Sequence, residues 1–382
     1  MKAVIAIDSF KGSLSSIEAG FCVKKAFNAV FNGEAEVFPI ADGGEGTCET
    51  ITKGLKGEIV EIMVTGPLGD KVNSFYGLIN GGKTAVIDIA AACGLTMVPD
   101  INRNPMNTTS YGVGELILDA VKRGVRNFII GLGGSATNDG GIGMLSALGA
   151  AFYKKDGKKA GIFGRDLMDL ERADISKMAG GLKDCRFKVA CDVKNPLYGV
   201  NGASVVFGPQ KGADEKTIQI LDKALFEYSI LAEKAMGKNM AKAEGAGAAG
   251  GLGFAFIQFL NASLEQGIDL VLGILEIEKY IKGADIVITG EGRIDFQTAM
   301  GKAPAGVAAI AGKYGVPVIA FCGCTGEGAE KCNAAGIDAY FPIVQGPVSL
   351  KEAMENENAQ KNLYSAALQA LSLVKRFSGV EA

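Results

Sequence analysis

Asp285–Thr298 reads DIVITGEGRIDFQT: an apolar run breaks into glycines bearing carboxylates, and Gly301-Lys302 then leads into a helical pattern from Pro304. An apolar strand, a glycine turn and a helix in that order form the repeating unit of α/β folds with parallel sheets. Glycine lets backbone approach a ligand closely, while Glu291 and Asp295 bring oxygens suited to a hard cation or a hydroxyl. An anionic ligand accompanied by Mg²⁺ matches that mixture.

Both ends of the chain share this texture. Met1–Asp8 (MKAVIAID) is β-like, Ile17–Phe31 has apolar residues at helical spacing, and Glu36–Ala41 (EVFPIA) is extended again. This β-α-β opening carries Asp8, Ser9 and Lys11 on its first strand-end loop and Asp42 and Glu45 on its second, both facing one edge of a parallel sheet. Beyond the opening segment, strands are expected at Pro317–Cys322 and near Tyr340–Val344, and an amphipathic helix at Asn358–Phe377.

The middle reads differently. Strand-like runs at Glu58–Val64, Asn73–Ile79 and Thr84–Ile89 are punctuated by Gly66-Pro67 and Asn80-Gly81-Gly82, the grammar of antiparallel hairpins. Helices follow near Gly112–Arg123, Ile142–Leu148 and Glu215–Lys234, with strands at Asn127–Ile130 and Arg186–Cys191. The expected architecture is a Rossmann/flavodoxin-like parallel-sheet domain formed by both termini, residues 1–66 plus 283–382, with a mixed-sheet α/β domain, residues 67–282, inserted and the active site in the cleft between them.

Composition narrows the chemistry. With 39 basic and 42 acidic residues in 382, no basic face for nucleic acid or membrane is advertised, and a small soluble substrate is the better match. Histidine is absent, so proton transfer falls to carboxylate, lysine, tyrosine, cysteine or water. Eight scattered cysteines without paired metal spacing read as reduced, buried thiols in a cytoplasmic protein. No apolar run approaches the roughly 20 residues of a membrane span.

Glycines number 54, about twice the usual share, and cluster where strands end. Gly131-Leu132-Gly133-Gly134-Ser135-Ala136-Thr137-Asn138 lies between a strand and a helix, and its backbone N–H groups can form an anion nest. Asp192 ends another strand, where a carboxylate is both fixed and reachable; capping the turn before Pro196 is its plainer role. Lys11, Lys211 and Lys302 each adjoin a loop glycine and could neutralise phosphate or carboxylate. Gly245–Gly250 spells G-x-G-x-x-G, yet no strand precedes it, so a tight turn before a helix outweighs a dinucleotide site. No Walker-type phosphate loop occurs.

Taken together, the chain resembles the bacterial glycerate kinase family over nearly its whole length. The resemblance rests on Asp8–Gly12, Ala41–Thr47, Gly133–Gly141, Val206–Ala213, Gly245–Gly251 and Thr289–Gly292, with Asp295, Gln297-Thr298 and Gly301-Lys302. Ala6-Ile7 stands where many members carry proline before the aspartate. The resemblance implies ATP-dependent phosphorylation of D-glycerate, at the 2-hydroxyl in the favoured reading and at the 3-hydroxyl in the alternative. With it come expected roles: Asp192 and Lys11 catalytic; Asp8, Ser9, Asp42, Glu45 and Asp295 substrate-binding; and Asp42, Glu45 and Asp295 serving Mg²⁺. Gly133, Gly134, Ser135, Thr137, Asn138, Gly290, Glu291, Gly292 and Lys302 are expected at the nucleotide phosphates. The oligomeric expectation is a monomer or homodimer. An NAD-linked oxidoreductase would rest on Gly245–Gly250 alone, and a non-catalytic binding protein leaves so many separated carboxylates unexplained.

Overall fold

The computed structural model describes residues 1–44 and 46–378. In chain order its strands are β1 (Lys2–Ile7), β2 (Glu34–Val37), β3 (Glu58–Thr65), β4 (Lys71–Ile79), β5 (Thr84–Asp88) and β6 (Asn127–Gly131). They continue with β7 (Ala151–Lys154), β8 (Leu170–Asp174), β9 (Arg186–Ala190), β10 (Ser263–Glu265), β11 (Ile286–Ile294), β12 (Val318–Thr325) and β13 (Ala339–Pro342).

Two compact units result: Met1–Asp42 with the chain from Ile268 onward, and Gly43–Gly267 between them in sequence. The first holds an all-parallel sheet of order β13-β12-β11-β1-β2. Renumbered within the unit this is 2-1-3-4-5, the flavodoxin-like arrangement, whose order reverses between β1 and β11. Its apolar strands are buried on both faces: Ile5, Ile7 and Ile288 pack with Phe27 and Leu363 from the helices Ser16–Val30 and Asn356–Ser378. Each fully buried side chain of this size contributes about 1.5–3 kcal/mol. The first helix starts at Ser15, whose side chain and Glu18 form a reciprocal capping box.

The inserted unit is built on a mixed sheet of order β10-β9-β6-β5-β4-β3, antiparallel across β3, β4 and β5 and parallel from β5 through β10. The hairpins expected from the turn residues are present, and the small β7-β8 hairpin is an addition that the sequence reading lacked. The unit boundaries differ from expectation. β3 pairs with β4 from Glu58↔Leu78 to Thr65↔Lys71, so it belongs to the inserted unit, not to residues 1–66. At the other end, Ile268 packs against Gly306, which draws the chain from Ile268 into the terminal unit well before residue 283.

β11 also departs from its reading. Gly290–Gly292 is extended strand, not a turn: Gly290 pairs with Ile7 and Phe321, Glu291 with Cys322 and Arg293 with Cys324. A Cβ on Gly290 would meet the Phe321 carbonyl oxygen at 2.3 Å, so this glycine serves close strand packing. All eight cysteines are free thiols, but only Cys48, Cys93, Cys322 and Cys332 are buried as expected; Cys22, Cys185 and Cys191 are half-buried and Cys324 is exposed. Among the described residues, no helix is long and apolar enough to cross a membrane.

Candidate active site

In the terminal unit a cavity of about 350 Å³ opens where the sheet order reverses, at the carboxyl ends of β1 and β11. Ligands of open α/β sheets bind at this place because two neighbouring loops diverge there. Asp8 ends β1 and is 7 % exposed; the Ser9 amide donates to its Oδ1 at 2.6 Å. Burial, with Asp42 and Glu291 adding like charge, pushes its carboxyl up to about 7 against the pull of Ser9 and Lys11. Lys11 Nζ lies 3.5 Å from Asp42 Oδ2, joining the two loops of the β-α-β opening.

On β11, Glu291 points to the same cavity and accepts a hydrogen bond from the Thr298 hydroxyl; burial raises its carboxyl. Strand alternation brings Arg293 to the cavity too, while Asp295 caps the short helix Phe296–Ala299 by accepting from the Gln297 amide at 2.9 Å. Arg293 Nε sits 3.3 Å from Asp295 Oδ2. Lys302, at the start of the helix Ala303–Lys313, completes a trio of cations with Lys11 and Arg293 around Asp8, Asp42 and Glu291. Val344, Leu350 and Met354 supply an apolar wall. A cavity with paired charges on one side and an apolar wall on the other can hold a small polar acid or a phosphorylated ligand.

In the inserted unit, the loop after β6 joins that strand to the helix Ile142–Ala147. Gly134 and Gly140 adopt positive φ, and Asp139 ties the loop together from within. The Asp139 carboxylate accepts from the Ser110 amide at 2.8 Å, the Ser110 hydroxyl at 2.7 Å and the Gly141 amide at 3.0 Å. Burial nevertheless pushes its carboxyl up, since it is wholly enclosed. Behind the loop Lys211 is 3 % exposed and donates to Ser135 Oγ at 2.9 Å and the Thr137 carbonyl at 2.6 Å. Asn138 donates to Ser204 Oγ at 2.8 Å.

The Gly245–Gly250 segment is a loop support, not a dinucleotide turn. The Gly140 amide donates to the Gly250 carbonyl at 3.0 Å, and a Cβ on Gly250, whose φ is +66°, would meet the Thr137 carbonyl oxygen at 2.0 Å. The helix Leu252–Phe259 follows, as the turn reading expected.

Asp192, just past β9, is exposed, and its Oδ1 accepts from the Gly267 amide at 2.9 Å. The structure thus brings Asp8, Ser9, Lys11, Asp42, Glu291, Gly292 and Lys302 to one cavity, and Gly133, Gly134, Ser135, Thr137 and Asn138 to one loop. Glu45 lies outside the described residues. Among the described residues no three carboxylate or thiol side chains form a group able to hold a metal ion alone. Sequence reasoning missed Arg293, although it stands two residues from Glu291 and a strand reading would have put both on one face. It also missed Ser110, whose value depends on Asp139 from 29 positions away and leaves no local signal.

The family model described as "Glycerate kinase family" matches residues 3–375. Glycerate kinase of Bacillus subtilis (strain 168) is 47% identical over 357 residues, covering 93% of this chain and 94% of that protein. Glycerate 2-kinase of Escherichia coli (strain K12) is 48% identical over 354 residues, covering 92% and 93%. A crystal structure from Salmonella typhimurium LT2 assigned as a glycerate kinase 2 superposes with a TM-score of 0.91 at 43% identity, covering all of both chains.

Proposed function

The chain belongs to the glycerate kinase family and is a kinase, and from that premise we propose that it transfers the γ-phosphoryl group of ATP to the 2-hydroxyl of D-glycerate, giving 2-phosphoglycerate and ADP. The attacking hydroxyl oxygen bonds to phosphorus as the bond to the ADP oxygen breaks, and the hydroxyl proton leaves to a carboxylate. The observation that carries the reading is the switch-point cavity, where three cations face three carboxylates in a chain of this family. The Escherichia coli relative's name, Glycerate 2-kinase, supports the choice of hydroxyl.

Phosphoryl transfer proceeds through a loose transition state in most analyses, so positioning and charge neutralisation matter more than a strong base. Asp192, held by the Gly267 amide, orients the acceptor hydroxyl and takes its proton. Lys11 and Ser9 hold the glycerate carboxylate, and Asp8 accepts from its hydroxyls. Asp295 fixes Arg293 for the same task. Gly133–Asn138 takes nucleotide phosphates, Gly292 and Lys302 line the cavity for the same charge, and Glu291 beside them would face the nucleotide through a cation. Gly290, enclosed between strands, serves the sheet instead.

Mg²⁺ ordinarily binds one or two carboxylates plus substrate phosphates, and Asp42 lines the cavity near Asp8 and Glu291. Asp42 with Glu45 would hold it, and bound there it would neutralise phosphate charge.

Phosphorus NMR of the product formed from ATP, Mg²⁺ and D-glycerate tests the proposal. A 2-phosphoglycerate resonance is expected. A 3-phosphoglycerate resonance would overturn the regiochemistry, and unchanged ATP would overturn the substrate.

A further inference from the structure

Resting on the kinase reading above, we infer that Lys211 is the electrostatic floor of the nucleotide-phosphate loop: a positioning residue that holds Ser135 and Thr137 and gives the loop the positive charge that attracts phosphate.

A lysine this deeply enclosed ordinarily needs a carboxylate partner, because an unpaired buried ammonium is costly. Lys211 forms no ion pair among the described residues. Its two hydrogen bonds go to neutral oxygens, Ser135 Oγ and the Thr137 carbonyl. The charge of nearby Asp139 favours the ammonium from a distance, but its oxygens are hydrogen-bonded to the amide and hydroxyl of Ser110 and the amides of Gly141 and Gly143, not to Lys211. Cys93 is the other neighbour, and burial pushes its thiol up to about 12, so it is neutral. Burial pulls the Lys211 ammonium down only to about 8, so the charge survives at neutral pH.

The loop above this charge is built to receive something. Asn138 Oδ1 is buried without a hydrogen-bond partner among the described residues, and the enclosed Thr137 hydroxyl has only the Cys93 thiol beside it. Buried polar atoms without partners are rare in native proteins and are commonly completed by a ligand or water. Gly133 is half-buried and Gly134 exposed, with Gly134 at φ +74°, immediately before the Ser135 that Lys211 holds. A polyanion at this loop would bring Lys211 a second negative charge besides that of Asp139. The protein therefore carries in its free state a buried cation that no carboxylate contacts directly, and a bound polyanion adds to the distant charge of Asp139.

The test uses the full chain, with Lys211→Met, Lys211→Arg and Ser135→Ala, each checked for folding by circular dichroism. Removing the charge is expected to raise the KM for ATP about tenfold or more, the size of one lost charge-assisted contact. The KM for D-glycerate should stay within about twofold, and Lys211→Arg should recover part of the ATP affinity. ADP should raise the Tm of the parent protein and not that of Lys211→Met. A folded Lys211→Met protein whose KM for ATP is within about twofold of the parent overturns the inference. If Lys211→Met does not fold, a folded Ser135→Ala protein with unchanged ATP affinity overturns it, and a selective rise in the KM for ATP upholds it. If the parent protein makes no ADP from ATP and D-glycerate, the kinase reading has failed separately. Calorimetry with ADP then decides for Lys211: binding lost in Lys211→Met upholds the inference, and equal or absent binding in both proteins overturns it.

Discussion

Replacing Asp8 with asparagine should make the protein more stable at mildly alkaline pH while removing its activity. The Asp8 carboxyl titrates at about 7 in the folded protein because it is enclosed beside Asp42 and Glu291. Unfolded, it would titrate near its ordinary value of 3.8. A raised folded value means that the native state keeps a proton the unfolded state has lost. The stabilisation is therefore fully present below about pH 4 and is lost as pH rises through about 7. Three pH units at about 1.4 kcal/mol each give about 4 kcal/mol lost between these limits, as an upper figure. Asparagine has nearly the same shape and does not titrate, so the curve of the Asp8→Asn protein should lack this component. Urea unfolding of both proteins at about pH 5 and about pH 8 measures it through the double difference, which cancels the other titrating groups. Relative to the parent, Asp8→Asn is expected to gain about 2–4 kcal/mol between the lower and the higher pH. Parallel curves for the two proteins would refute the claim that Asp8 is a destabilised carboxylate held for function.

Three further outcomes follow from the same geometry. Asp192→Asn should fold normally, since an amide oxygen still accepts from Gly267, but should lose about a hundredfold or more in kcat; near-normal turnover would remove Asp192 from the chemistry. Arg293→Ala should change stability by no more than about 1 kcal/mol, because the Arg293 side chain is mostly exposed and Asp295 keeps the Gln297 amide as a donor, yet raise the KM for D-glycerate about tenfold, as steady-state kinetics would report. Gly250→Ala should destabilise by about 2 kcal/mol or more, combining a φ of +66° with a clash against Thr137, and thermal melts should show it together with weakened ATP affinity.

The sequence made the parallel sheet of the termini legible because its strands are short apolar runs ending in glycine and aspartate, and strand ends are where such residues gather. It misread β11 for the same reason. Gly290 and Gly292 look like turn residues, but here they let β11 lie flat between β1 and β12, and the strand continues to Ile294. Treating Glu291–Asp295 as loop hid the alternation that places Glu291 and Arg293 on one face. The misplaced domain boundary has a different cause. β3 carries no mark of which sheet it joins; only its eight-residue pairing with β4 decides, and register between strands is a property of two segments together.

Lys211 and Asp139 make the same argument in the site. As letters they are a lysine and an aspartate beside glycines, for which solvated surface is the ordinary expectation. Folding encloses both, and it then separates their fates by hydrogen bonding. Asp139 receives several donors and becomes the loop's internal brace, while Lys211 hydrogen-bonds only neutral acceptors. The brace ties the loop from within, and on the inference above the Lys211 charge favours an anion there. The terminal unit divides its labour similarly, with Asp295 capping a helix and Asp8 left crowded by other carboxylates. In a chain without histidine, groups whose ionisation is strained by burial are the ones equipped to respond to a charged ligand, and burial is what the linear sequence does not display.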